Sequence, residues 1–228
     1  MNSSILNYVT AFIILFIILF SYCHVSRLKT INNELKILQS IDPDADMVYE
    51  LLDKHQPLII QKEIFYWKEF NHLIGNSLSD IKNIIAENTQ INYSEYIKNN
   101  IDVYNLPLSY DWNIDIRNVI LNDKSAIFFT KQNNYMQLFG CVTGEMRIII
   151  TPPDQCKILE PFVKMVSTID ATLILNKEPM ELNYIEIIIR QGNIIYIPWS
   201  WSYFIYKSNA NEECVIVDCI NNSVLSFM

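Results

Sequence analysis

The sequence predicts a mainly β protein built as a jelly-roll barrel, preceded by helices of which the first crosses a membrane. Three observations predict it. From about residue 101 onward the chain is a series of short apolar runs rich in Ile, Val, Tyr and Phe, parted by brief turns. Eight short, evenly spaced strands suit a sandwich or barrel, and eight is the jelly-roll count. Half of the 228 residues are hydrophobic and 18% are charged, so the chain can bury a core. Finally, no charged side chain occurs from Met1 to Cys23.

That first segment, with Ile5–Cys23 reading "ILNYVTAFIILFIILFSYC", is expected to be a transmembrane anchor within residues 1–26. A spanning helix needs about 20 apolar residues for the ~30 Å hydrocarbon layer. A cleaved signal peptide would carry a basic start and a small-residue exit, and neither is present. Arg27, Lys29 and Lys36 follow the segment and no basic side chain precedes it. The positive-inside rule then puts the N-terminus outside and the C-terminal domain in the cytoplasm. Five cysteines without a C-x-x-C spacing fit free thiols in a reducing compartment. Cys214 and Cys219, an odd distance apart in a strand-like run, should point to opposite faces. A net charge of −8 without a Lys/Arg block excludes nucleic acid as a partner, since phosphate binding needs a concentrated basic face. The abundance of Ile, Asn and Tyr resembles the drift of A+T-rich genomes, such as those of many large DNA viruses.

Residues 27–41 place Leu28, Ile31, Leu35 and Leu38 at helical spacing, so 27–55 reads as a helical linker. "IDPDAD" breaks that helix at 41–46. A second short helix is expected at 46–55, a buried strand in "QPLIIQKEI" (56–64), and a helix at 78–89 with Ser79 as its cap. The strand runs are "SAIFFT", "YMQLFGCV", "MRIIIT", "TLILN", "YIEIIIR", "NIIYIP", "SYFIYK" and "ECVIVDC". Residues 56–228 form the expected barrel domain.

Two stretches carry a signature. In "NNYMQLFGCVTGEMRIIITPPDQCKILEP" (133–161), Gly144, Pro152, Pro153 and Pro161 fall on a strand, a glycine turn, a strand and then prolines. In "QGNIIYIPWSWSYFIYKSN" (191–209), Gly192, Ile197, Pro198 and Trp201 match a G-D-x-x-x-I-P-x-x-W pattern, with Asn193 in the Asp position. With a weaker echo in "QPLIIQKEIFYW" (56–67), these resemble the cupin-like JmjC proteins, including the factor-inhibiting asparaginyl hydroxylase type. The resemblance implies a double-stranded β-helix. Most of that family are Fe(II)- and 2-oxoglutarate-dependent oxygenases using two His and one carboxylate, which leave metal positions open for oxygen and cosubstrate.

The ligands do not carry over. The implied metal positions fall on Lys131, Asn133 and Tyr203, and the implied cosubstrate lysine on Met146. A phenol with a pKa of about 10 is a poor iron ligand unless it ionises. No shift of register helps, because neither 125–143 nor 193–210 contains His, Asp or Glu. Arg147, beside Met146, should face away from the barrel interior. Lys131 could stand in the metal's former place, its charge compensating for the ion. His24, His55 and His72 lie ahead of the barrel and read as surface or satisfied core residues.

Other motifs fail as well. Asp42, Asp44 and Asp46 alternate like an EF-hand start, but Met47 and Asp53 stand where that loop needs Gly and Glu. Trp199, Trp201 and Phe204 form either core packing or the wall of a pocket. The expectation is a membrane-anchored, non-catalytic cupin/JmjC-like domain with a binding or structural role, without metal or cofactor. Its partners would be the membrane through residues 5–23 and a protein or peptide. The alternative is a protein-hydroxylating oxygenase with non-standard ligands such as Tyr203 and Cys141.

Overall fold

A computed structural model describes residues 3–28, 30–41, 43, 45–62, 79–80, 83, 114–121, 127–134, 136–155, 158, 182–208 and 214–221. Its elements run α1 (Ser3–Leu28), β1 (Leu38–Ile41), α2 (Ala45–Leu52), β2 (Leu58–Gln61), β3 (Ile114–Leu121), β4 (Ile127–Lys131), β5 (Met136–Thr143), β6 (Glu145–Thr151), β7 (Ile185–Arg190), β8 (Ile194–Ile197), β9 (Ser202–Lys207) and β10 (Cys214–Asn221). A 3-10 turn, Pro153–Gln155, follows β6.

From β3 on, the described strands switch sheet at each step except from β6 to β7. One has the order β1-β2-β8-β5-β10-β3 and the other β4-β9-β6-β7. Counting eight strands from β3, the first pairs with the eighth and the third with the sixth in one sheet. The second pairs with the seventh and the fourth with the fifth in the other. All four pairings are antiparallel, and this interleaving is the double-stranded β-helix. The mainly β, cupin-like jelly roll expected from the sequence is therefore the observed fold.

Strand alternation explains where the core sits. On β6, Met146, Ile148 and Ile150 belong to the buried cluster between the sheets, together with Tyr203 and Ile205 of β9, Phe139 and Cys141 of β5, Ile195 and Ile197 of β8, and Cys214 and Ile216 of β10. Each lies two residues from its neighbour on its own strand, the period at which side chains share a face. Burying each large apolar side chain contributes about 1.5–3 kcal/mol. Cys219 is buried but lies outside this cluster, on the face opposite Cys214. Glycine is needed at two turns: Gly144 (φ 78°) between β5 and β6, and Gly192 (φ 88°) between β7 and β8.

Two expectations are corrected. Among the described residues no helix is long and apolar enough to cross a membrane. The transmembrane anchor at 1–26, its membrane contact through 5–23 and the single-pass placement with N-terminus outside and cytoplasmic C-terminal domain are not upheld. Helix α1 does form.

The second correction concerns the linker. Residues 30–37 hold no regular structure, and Leu38–Ile41 pair in parallel with Leu58–Gln61. The cause is local. The Asn32 carboxamide accepts from the Glu34 N–H at 2.9 Å, an Asx turn that competes with helix, and donates to the Lys54 carbonyl at 2.8 Å. Gln56 then donates to Glu34 at 2.7 Å, and the Leu38 N–H donates to the Pro57 carbonyl. Tertiary pairing overrides the helical spacing. The expected helix at 78–89 and strand "TLILN" lie essentially outside the described residues.

The β7–β8 turn is tied down on several sides. The Gly192 N–H donates to the Cys141 carbonyl, and the Asn193 N–H donates to Arg190. The Asn193 side chain accepts from the Lys62 N–H at 3.0 Å. Forcing a Cβ into the left-handed region there costs about 1–2 kcal/mol. Gly192→Ala is therefore expected to lower unfolding free energy by that amount in urea titrations, with an unchanged m-value.

Candidate functional site

Between the sheets, three polar side chains meet. Tyr203 is carried by β9 and paired with Ile150 of β6, so it faces inward. Gln137 on β5 and Asp218 on β10 come from the opposite sheet, and both are buried. The Tyr203 hydroxyl donates to Gln137 Oε1 at 3.1 Å, and Gln137 Nε2 donates to Asp218 Oδ1 at 3.0 Å. Asn134 Nδ2 also donates to Gln137 Oε1, at 3.4 Å. The Tyr203 ring packs against Phe139 with centroids 5.1 Å apart. Burial, then the negative charge of Asp218, push the Tyr203 phenol above its ordinary pKa, so it remains a neutral donor.

The sequence-derived positions divide between inside and outside. Tyr203, Met146 and Trp201 lie in the buried cluster. Lys131 and Asn133 are exposed, and Lys131 pairs with Ser202, on the other face from Tyr203. The Lys131 ammonium stands 5.9 Å from the ring centroid of half-buried Trp199, at the rim. Lys131 does not enter the barrel, so its charge does not replace an ion there. Phe204 lies on the outer face of its sheet beside Tyr206, with centroids 5.2 Å apart.

The buried residue between Lys131 and Asn133 is Gln132. Its N–H donates to the Trp201 carbonyl at 2.7 Å, and its carbonyl accepts from Ser200 at 2.8 Å. Its side chain donates to the Ile197 carbonyl and accepts from the Asn134 N–H. This clasp holds the turn in which Ser200 takes φ 71°, a conformation uncommon for any residue but glycine. Trp201 Nε1 is buried without a hydrogen-bond partner among the described residues.

These residues do not fit Fe(II). The interior offers an amide, a protonated phenol, one carboxylate that already accepts from Gln137, and two thiols, Cys141 and Cys214, in contact with each other. Among the described residues, no three His, Cys, Asp or Glu stand together as metal donors. Facing Met146, a dianionic cosubstrate would lack a charge partner. Arg147 is on the outer face, where it pairs with Glu186 at 2.9 Å and donates to Ser208 at 3.3 Å. His55, in the turn after α2, takes the left-handed region (φ 50°) and donates its N–H to the Leu52 carbonyl; His72 lies outside the described residues.

Gln137, Asp218 and Gln132 were not singled out from sequence. The signal was present for Asp218, the one acid inside the apolar run "CVIVDC". A charge in a buried strand is seldom left without partners.

No protein-family model matches this sequence, and neither does any curated protein. Among solved structures, a mutant of Bacillus subtilis oxalate decarboxylase is similar at TM-score 0.33 and 9% identity, over 50% of this chain and 23% of that one. A second oxalate decarboxylase structure, concerned with proton-coupled electron transfer, gives 0.34 and 10% over the same shares. This chain spans 23% of that enzyme's length, and none of its chemistry transfers. The cupin-like fold stands on the strand order.

Two predictions follow from these contacts. Tyr203→Phe should cost about 1 kcal/mol in urea unfolding, for one lost hydrogen bond. Gln137→Leu should cost roughly 3 kcal/mol, because it removes a donor from buried Asp218 and the acceptor of buried Tyr203 together. Equal losses would mean that the amide does not organise the network.

The second concerns the outer face. Tyr206 donates to Glu186 at 2.6 Å. Burial, then the hydrogen bond and charge of Glu186, push its phenol up to about 12. The same hydrogen bond, then Arg147, hold Glu186 below the usual carboxylate range. A raised phenol pKa stabilises fully below the unfolded value of about 10. Thermal stability should therefore fall as pH rises from 10 towards 12, less steeply in Tyr206→Phe.

Proposed function

We propose that this chain is a non-catalytic jelly-roll domain of the cupin/JmjC kind, binding a protein or peptide at the barrel mouth. The observation that carries this reading is the Tyr203–Gln137–Asp218 chain. It fills the interior where the relatives suggested by the motifs would hold metal, and it satisfies its own polar groups. An oxygenase with non-standard ligands would need Tyr203 or Cys141 to ionise. Both are pushed the other way: Tyr203 by burial, Cys141 by its contact with Cys214 and by burial. Lys131 and Asn133, exposed at the rim, would not meet Tyr203 even as His and Asp.

The rim supports the binding half of the reading. Lys131 over Trp199 presents a cation and an aromatic face beside a rigid turn. Such pairs, worth about 0.5–1 kcal/mol when exposed, are common contact groups. The partner class is suggested by the resemblance, whose enzymes act on protein side chains.

The test uses the full chain. After anaerobic loading with Fe(II) and desalting, metal content should be far below one iron per chain, and 2-oxoglutarate should yield no succinate. Stoichiometric iron with succinate production would overturn the non-catalytic reading. Peptides selected from a random display library should lose binding to Trp199→Ala. A library that yields no such peptide would overturn the peptide-binding part alone.

A further inference from the structure

Two cysteines that the site does not use lie in contact. Cys141 Sγ and Cys214 Sγ are 3.8 Å apart, on neighbouring strands β5 and β10, and both face the barrel interior. They sit at the Gly144 end of the ladder. The register slips there: Ile216 pairs with Cys141 but Val215 with Thr143, leaving Val142 as an extra residue on β5. Such a bulge bends the strand and sharpens its twist. Cys141 also lies 3.2 Å from the Gly144 carbonyl, to which its thiol donates. Both residues are almost fully buried, at 0% and 1% exposure.

We propose that Cys141 and Cys214 are a latent cross-strand disulfide, which closes when the protein meets a two-electron oxidant of the peroxide class. The sulfurs must approach by roughly 1.8 Å to reach the ~2.05 Å bond length. They lie where a bulge and a glycine turn give the backbone room to yield. Chemically, one sulfur attacks a peroxide oxygen and becomes a sulfenic acid, releasing water once a proton is taken up. The second thiol attacks that sulfur and expels a second water. Two thiols are oxidised by two electrons, and hydrogen peroxide is reduced to two waters. The product is neutral, which suits an apolar interior that penalises a lasting thiolate.

The other described cysteines are poor competitors. Cys219 faces away from Cys214 on the same strand, and Cys23 is exposed on α1. Burial makes the reaction slow, at the pace of local opening of the Gly144 end. Once formed, the bridge encloses β6 to β9 in one covalent loop. A loop of this length constrains the unfolded chain strongly.

The experiment treats the full chain, reduced and then freed of reductant, with hydrogen peroxide for a day. Expected are the loss of two hydrogens in mass, a linked Cys141–Cys214 peptide in a digest made under thiol-blocking conditions, and a Tm raised by about 5 °C or more that dithiothreitol reverses. Cys219→Ala should behave like the wild type, and Cys214→Ala should form no such peptide. If both thiols stay free while the folded protein is otherwise oxidised, or if Cys141 links instead to Cys156, the proposal is overturned. The wild-type digest decides this even if Cys214→Ala does not fold.

Discussion

The barrel depends on one constraint: polar groups placed between two apolar sheets must satisfy each other, because no bulk water reaches them. Gln137 meets it almost alone. Its oxygen accepts from Tyr203 on the facing sheet, while its nitrogen donates to Asp218 on its own sheet. An amide can serve both, since one carbon carries its donor nitrogen and its acceptor oxygen. A carboxylate there would repel Asp218, and an apolar residue would leave the phenol without an acceptor. The neutral state of Tyr203 follows from its burial and from the nearby charge of Asp218, and the bond to Gln137 gives the neutral phenol its acceptor.

At the rim, the same economy is met by backbone. Gln132 closes the barrel mouth by trading backbone bonds with Ser200 and Trp201. Its side chain secures the strand end at Ile197 and the start of the next turn at Asn134. The positive φ of Ser200 costs about 1 kcal/mol or more, and the clasp on both sides holds it in place. Lys131 and Trp199 are thereby set on a rigid edge, at the base of a network that does not itself move charge.

Strand periodicity made most of the barrel legible. Apolar runs such as "MRIIIT" and "NIIYIP" became β6 and β8, because alternation leaves little freedom of register once one face is buried. β1 was unreadable for the opposite reason. Its Leu38 continued the helical spacing of Leu28, Ile31 and Leu35, and only the Asn32 turn and the edge of β2 decided otherwise. The apolar start was read as a span on overall hydropathy, but among the described residues no helix is long and apolar enough to cross a membrane. In the site, residue types were legible. The partnership of Gln137 with Asp218 was not, since it joins residues 81 apart through a register no local pattern encodes. The position of Lys131 was misjudged by one residue, and in a strand one residue is the difference between interior and solvent.

Scaffold and site can therefore be separated residue by residue. Gly192 is required by its φ, and Asn193 by its bond to Lys62. Neither needs a metal, so neither speaks for chemistry. Trp201 is different. It is almost fully buried, yet its indole N–H has no partner among the described residues, at a cost of about 1–3 kcal/mol. A purely structural barrel would be more stable with an apolar side chain of similar volume in that place.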